Sequence, residues 1–153
     1  MKKLLSVCFL LLILCGCNAP PTYEPPKVEI SINGEFVELA PDVDVLNGNS
    51  GGIWDSPANE LPMLLVSNLD TVSLSFLNGV PLSVSAKKYD VFDMEDVIGN
   101  PNVRSGPIDM EMLYQDAAVS FDVVQEKSAQ QLITVIGEWD TQEILYAFVV
   151  SFE

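Results

Sequence analysis

The residues best equipped for covalent chemistry stand at the start of the chain, in Leu14-Cys15-Gly16-Cys17. A small residue before a cysteine, preceded by Lys2, Lys3 and an apolar run from Leu4 to Leu14, is an export signal with its cleavage site. The tetrapeptide has the form of a bacterial lipobox, which predicts cleavage after Gly16 and a thioether-linked diacylglycerol on Cys17. A permanent transmembrane helix is the weaker reading. At about 1.5 Å per residue the apolar run reaches roughly 16 Å, against a hydrocarbon core of roughly 30 Å. No Ala-x-Ala-like site for ordinary secretion precedes Pro20-Pro21.

Elsewhere the inventory is acidic. The chain has no histidine, which excludes Ser-His-Asp and Cys-His catalysis and the usual zinc sites. Two carboxylates at about 5–10 Å would suffice for glycoside hydrolysis. With 22 acids in the chain, that pattern has almost no specificity. Asp42, Asp44 and Asn47 resemble an oxygen-ligand loop, yet a calcium loop counted from Asp42 would want glycine at position six and glutamate at twelve. Gly48 falls at seven and Ile53 at twelve. Asp42 and Asp44, or the Asp93-Glu95-Asp96 cluster, are therefore weak calcium candidates beside the plainer reading of a solvated acidic loop. No metal or other cofactor is expected.

These residues need elements to position them, and the chain divides into residues 1–16 as signal peptide, 17–26 as lipidated cysteine and linker, and 27–153 as one domain. Loss of residues 1–16 removes two of seven basic residues and none of the acidic ones, leaving a net charge of −17. Such a surface repels nucleic acid and anionic head groups and favours cations or basic proteins. Cys8 and Cys15 leave with the signal and Cys17 is acylated, so no disulfide is available and stability must come from apolar packing. Residues 18–26 hold four prolines, which predicts a polyproline II spacer of about 28 Å that stands the domain off the membrane. With Asn18 after the cysteine, a Gram-negative source would imply the outer membrane.

Lys27 to Leu39 reads as a β-hairpin about Asn33-Gly34, with Ile30 opposite Val37, Val28 opposite Leu39, and Glu29 opposite Glu38 on a wet face. Residues 40–61 form a long loop rich in Asp, Asn, Ser, Gly and Pro. Trp54 there reads as a plug folded onto the core or as a ligand-stacking residue, and Asn47, Asn49, Trp54 and Asp55 make the candidate binding loop. Val72, Leu74 and Phe76 alternate with serines, as do Leu82, Val84 and Ala86. If these runs pair directly, a three-residue loop Asn78-Gly79-Val80 puts Phe76 opposite Leu82 and keeps the serines on one face. Residues 93–96 could open a short helix, and Ile108, Met110 and Met112 suggest a strand. Ala118 to Val124 and Gln131 to Trp139 are strands. Glu143 to Phe152 is apolar on both parities, which predicts a strand inside a sandwich rather than at an edge.

Ile133, Val135, Gly137 and Trp139, followed by Tyr146, Phe148 and Val150, make a strand ending in Trp and a Tyr-x-Phe return strand. This hairpin, with Ile32-Asn33-Gly34-Glu35 before it, is similar to that of uncharacterised Gram-positive surface lipoproteins. The resemblance implies an immunoglobulin-like antiparallel β-sandwich, covers about half the mature chain in pieces, and rests on core and turn residues. The expectation is an all-β, lipid-anchored module on the extracytoplasmic side of the cell membrane. It would be non-catalytic, serving to bind an unidentified protein or envelope ligand, with no role for nucleic acid. A carboxylate-only envelope glycan hydrolase and a Ca²⁺-stabilised surface domain are the rival readings.

Overall fold

A computed structural model describes residues 26–41, 43–44, 61–91, 108–115 and 118–153. These residues form eleven strands and no helix. The chain opens with β1 (Val28–Ile32) and β2 (Glu35–Leu39), joined by Asn33 at φ 48° and Gly34 at φ 85°. Two successive left-handed residues give a turn whose twist matches that of the strands. The register is the expected one: Val28 faces Leu39, Ile30 faces Val37, and Glu29 faces Glu38. Lys27 relieves the like-charge pair by bonding Glu38 at 3.1 Å.

The remaining strands are β3 (Val43–Asp44), β4 (Met63–Val66), β5 (Thr71–Phe76), β6 (Ser83–Val91), β7 (Ile108–Asp109), β8 (Leu113–Gln115), β9 (Ala118–Asp122), β10 (Gln130–Trp139) and β11 (Gln142–Phe152). One sheet runs β2-β1-β5-β9-β8, and the other runs β3-β11-β10-β6-β7 with β4 also on β11. The pairing is antiparallel except for β4, which runs parallel to β11 from Met63 against Val149 to Val66 against Phe152. The chain between the end of β4 at Val66 and the start of β11 at Gln142 more than supplies the crossover length a parallel pair needs.

Burial explains the strands. Val28, Ile30, Val72, Leu74 and Phe121 from the first sheet meet Ile133, Val135, Tyr146 and Phe148 from the second, each at most 1% exposed. At roughly 1.5–3 kcal/mol per fully buried large apolar side chain, this interior holds the sandwich, with no cysteine among the described residues to cross-link it. Leu132, Leu145, Ala147 and Val149 occupy the opposite parity and form a second cluster with Val91. Thus β11 is buried on both faces and flanked on both edges, which accounts for its two-sided apolar pattern.

The β5–β6 pairing departs from expectation. Their inward residues Val72, Leu74, Phe76, Val84 and Ala86 are buried as the alternation requires. The strands nonetheless lie in different sheets, β5 between β1 and β9 and β6 between β10 and β7. Residues 77–82 therefore arch from sheet to sheet, and Leu82 is 69% exposed rather than opposite Phe76. Alternation reports which face a residue takes, and two strands facing one core from opposite sheets alternate identically. A second arch, residues 67–70, returns β4 to β5, with Leu69 at φ 72°.

The sandwich consequently has two distinct ends. At the proximal end the chain comes in at Pro26, whose carbonyl accepts the buried Tyr146 hydroxyl at 2.8 Å, beside residues 77–82 and 138–142. At the distal end lie Asn33-Gly34 and residues 67–70, tied by Asn33 Nδ2 donating to Asp70 at 3.0 Å.

Candidate functional site

The residues singled out from sequence mostly lie outside the described part: Cys17, Asp42, Asn47, Asn49, Trp54, Asp55, Asp93, Glu95 and Asp96. Asp44 closes β3, its backbone opposite Ile144. The described residues present a different site, a cleft of about 410 Å³ where the edges of the two sheets meet.

The strands that frame it are short for a physical reason. β7 pairs with β6 for only two residues, Ile108 against Lys88 and Asp109 against Lys87. Met110 N–H still reaches the Ala86 carbonyl at 3.0 Å. The chain then leaves the second sheet and joins the first as β8 against β9. Residues 108–113 bridge the two edges and leave a gap behind them. Ile108, Met110, Phe121 and Val124 give that gap apolar walls, while Asp109, Glu111 and Asp122 add carboxylates.

Lys88 lines the cleft and is only 7% exposed. Its position follows from parity, since it shares the inward face of β6 with Val84 and Ala86. A buried ammonium needs partners, and Nζ has two: Glu126 Oε1 at 2.9 Å and the Val124 carbonyl at 3.3 Å. The hydrogen bond from Lys88 and then its charge hold the Glu126 carboxyl below the usual carboxylate range. The cleft's one deeply placed cation is therefore already compensated. Lys87 approaches Asp109 at 3.9 Å with both side chains well exposed, a pairing of small worth. Asp122 accepts a 2.7 Å bond from the Thr71 hydroxyl.

Behind Lys88 a buried polar group fixes the segment after β9. Gln131, 1% exposed, donates from Nε2 to the Val124 carbonyl at 3.0 Å and to Asp90 at 3.5 Å. Ser128 N–H also reaches Asp90, at 3.4 Å, and its hydroxyl bonds the Val91 carbonyl. Val124 thus accepts from two side chains, which holds one wall of the cleft in place.

The Glu126 carboxyl, held low by Lys88, is the reverse of what a general acid working near neutral pH requires. Among the described residues no three carboxylates converge as a cation site. An apolar wall with a negative rim instead fits a cationic group on an aliphatic stem. Sequence reasoning missed Lys88, Asp109, Glu111, Asp122 and Glu126 as a group, although the inward parity of Lys88 was visible. Comparison with known families, curated proteins and solved structures returns no match to this chain.

Proposed function

We propose that the protein is a lipid-anchored, extracytoplasmic binding module, without catalytic activity, whose cleft beside Lys88 takes a cationic side chain from a basic protein or peptide. The lipobox-like Leu14-Cys15-Gly16-Cys17, the proline-rich spacer and the net charge of −15, which becomes −17 on loss of residues 1–16, support this reading. So does the likeness of the Trp139 and Tyr-x-Phe strands to surface lipoproteins. The observation that carries the ligand class is the cleft itself, in which Glu126 neutralises Lys88 and the Asp109, Glu111 and Asp122 carboxylates remain in excess.

Titration calorimetry of the mature lipoprotein in detergent, with tetralysine and tetraglutamate as ligands, tests it. Tetralysine is expected to bind and tetraglutamate not to, with affinity falling as salt rises. The exposed pair Asp109→Asn with Glu111→Gln should weaken tetralysine at least fivefold. Equal binding of both peptides, or tetralysine binding unmoved by the double change, would discard the cleft as the site.

A further inference from the structure

The proximal end carries a feature that ligand binding does not use. Between β5 and β6 the arch reads Leu77-Asn78-Gly79-Val80-Pro81-Leu82, six residues without a charge in a chain that is 19% charged. Leu77, Val80 and Leu82 are 52%, 58% and 69% exposed. They are not free to fold inward, because the arch is fixed at three points. Leu77 N–H donates to the Lys27 carbonyl at 2.9 Å, and Leu82 N–H donates to the Glu138 carbonyl at 2.7 Å. Midway, Trp139 Nε1–H donates to the Gly79 carbonyl at 3.3 Å, and its ring packs edge-on to Phe76. Three aliphatic side chains are thereby held outward on a rigid tip.

The tip sits where the tether arrives. Lys27, which accepts the Leu77 bond, is the first residue of the domain, and Pro26 is clamped by Tyr146. Nine residue steps from Cys17 to Pro26 reach about 28 Å at the polyproline II rise and roughly 32 Å when fully stretched. An acyl chain on Cys17 therefore keeps this end, rather than the distal one, nearest the lipid. The exposed aliphatic at the distal arch, Leu69, stands between Asn68 and Asp70.

We propose that residues 77–82 form a lipid-contacting tip, with Leu77, Val80 and Leu82 entering the surface of the leaflet that holds the acyl chains, so that the cleft is displayed with its distal side away from it. The inference rests on the anchoring proposed above. Tethering makes the contact intramolecular, so weak insertion is enough to orient the domain. Glu138 and Asp140 at the same end are exposed, which disfavours anionic head groups and selects a zwitterionic surface.

The test uses the lipidated protein in phosphatidylcholine vesicles that contain spin-labelled lipid. A nitrobenzoxadiazole dye is placed on Val80→Cys or, at the other end, on Leu69→Cys. With Cys17 acylated, each introduced thiol is the free one in the mature chain. The dye at 80 should be quenched at least threefold more than the dye at 69, and Leu77→Ser with Leu82→Ser should remove most of that difference. Co-flotation with equal quenching at both positions overturns the tip while leaving the anchor intact. A dye at 80 that is shielded without lipid quenching, in a protein that sediments as a dimer, overturns it in favour of a second copy. Failure to float with the vesicles removes the anchor and the tip together.

Discussion

Asn33-Gly34 and Asn78-Gly79 are the same dipeptide at opposite ends of one sandwich, and they do different things. At the distal end both residues take positive φ and close a hairpin between adjacent strands. At the proximal end only Gly79 does, at φ 124°, and the chain passes between sheets. The residues that follow decide the outcome. Glu35 after Gly34 can enter the ladder at once, whereas Val80-Pro81 after Gly79 brings a residue with no N–H to give. The arch also has a receptor the hairpin lacks, the Trp139 indole, which binds the Gly79 carbonyl. A turn dipeptide licenses a reversal, and its surroundings choose between neighbour strand and opposite sheet.

The largest test of that difference removes the receptor. Trp139→Ala deletes the Phe76 contact and the bond to Gly79 and should cost about 2–3 kcal/mol, below the roughly 3–5 kcal/mol of a core aromatic because Trp139 is only partly buried. Gly137→Ala should act in the same direction by about 1–3 kcal/mol, since a Cβ there would lie 2.5 Å and 2.6 Å from indole atoms of Trp139. Urea midpoints measure both. Losses under 0.5 kcal/mol would mean that the arch holds itself.

What could be read beforehand follows the same line. The β1–β2 register was legible because a two-residue loop leaves one pairing that keeps Val28, Ile30, Val37 and Leu39 on one face. The double-sided burial of β11 was legible from Leu145, Ala147 and Val149 standing between Tyr146, Phe148 and Val150. The β5–β6 arch was not, since inward parity is the same for a neighbour and for a strand across the core. The cleft was harder still, because Lys88, Asp109, Asp122 and Glu126 come from separate stretches of chain and meet only where two sheet edges are bridged. Lys88 alone signalled it, as a cation on an apolar parity.

The glycines themselves come next. Gly34→Ala should cost about 1–2 kcal/mol through backbone strain alone, because nothing lies within 4 Å of the added carbon. Gly79→Ala should cost more, since φ 124° lies further outside the range that side-chain-bearing residues adopt. Thermal melts of the two variants rank them. The reverse order would show that the arch relaxes where the hairpin cannot.

A smaller effect sharpens the distal side. Leu69 sits at φ 72°, exposed, with its N–H bonded to the Val123 carbonyl at 2.8 Å. The Asp70 N–H to Ser67 carbonyl bond at 3.1 Å closes this four-residue turn, and glycine is the residue its third position favours. Leu69→Gly should therefore stabilise by about 0.5–1 kcal/mol, with relief of strain outweighing the added entropy of the unfolded chain. No comparable gain is expected from Leu77, Val80 or Leu82, none of which takes positive φ. Their exposure at the proximal end costs no backbone strain, so it is a matter of side chains alone.

The smallest effect is one of pH, and it belongs to the distal flank of the cleft. Glu126 has a folded-state pKa below its ordinary value of 4.5 because of Lys88. A depressed carboxyl contributes stability above its unfolded pKa and loses it as pH falls through the folded one. The native protein should thus lose this contribution progressively below about pH 4.5. Glu126→Gln never has it, so its melting temperature should lie below that of the parent at pH 7 and converge on it toward pH 3. The comparison must be made as a difference between the two proteins, because other carboxylates shape the acid limb of each. A gap that stays constant from pH 7 to pH 3 would place the role of Glu126 in hydrogen-bond geometry instead of charge. In that case the charge of Lys88 would count against the carboxylates of the cleft, and their surplus would be one unit smaller than the pairing implies.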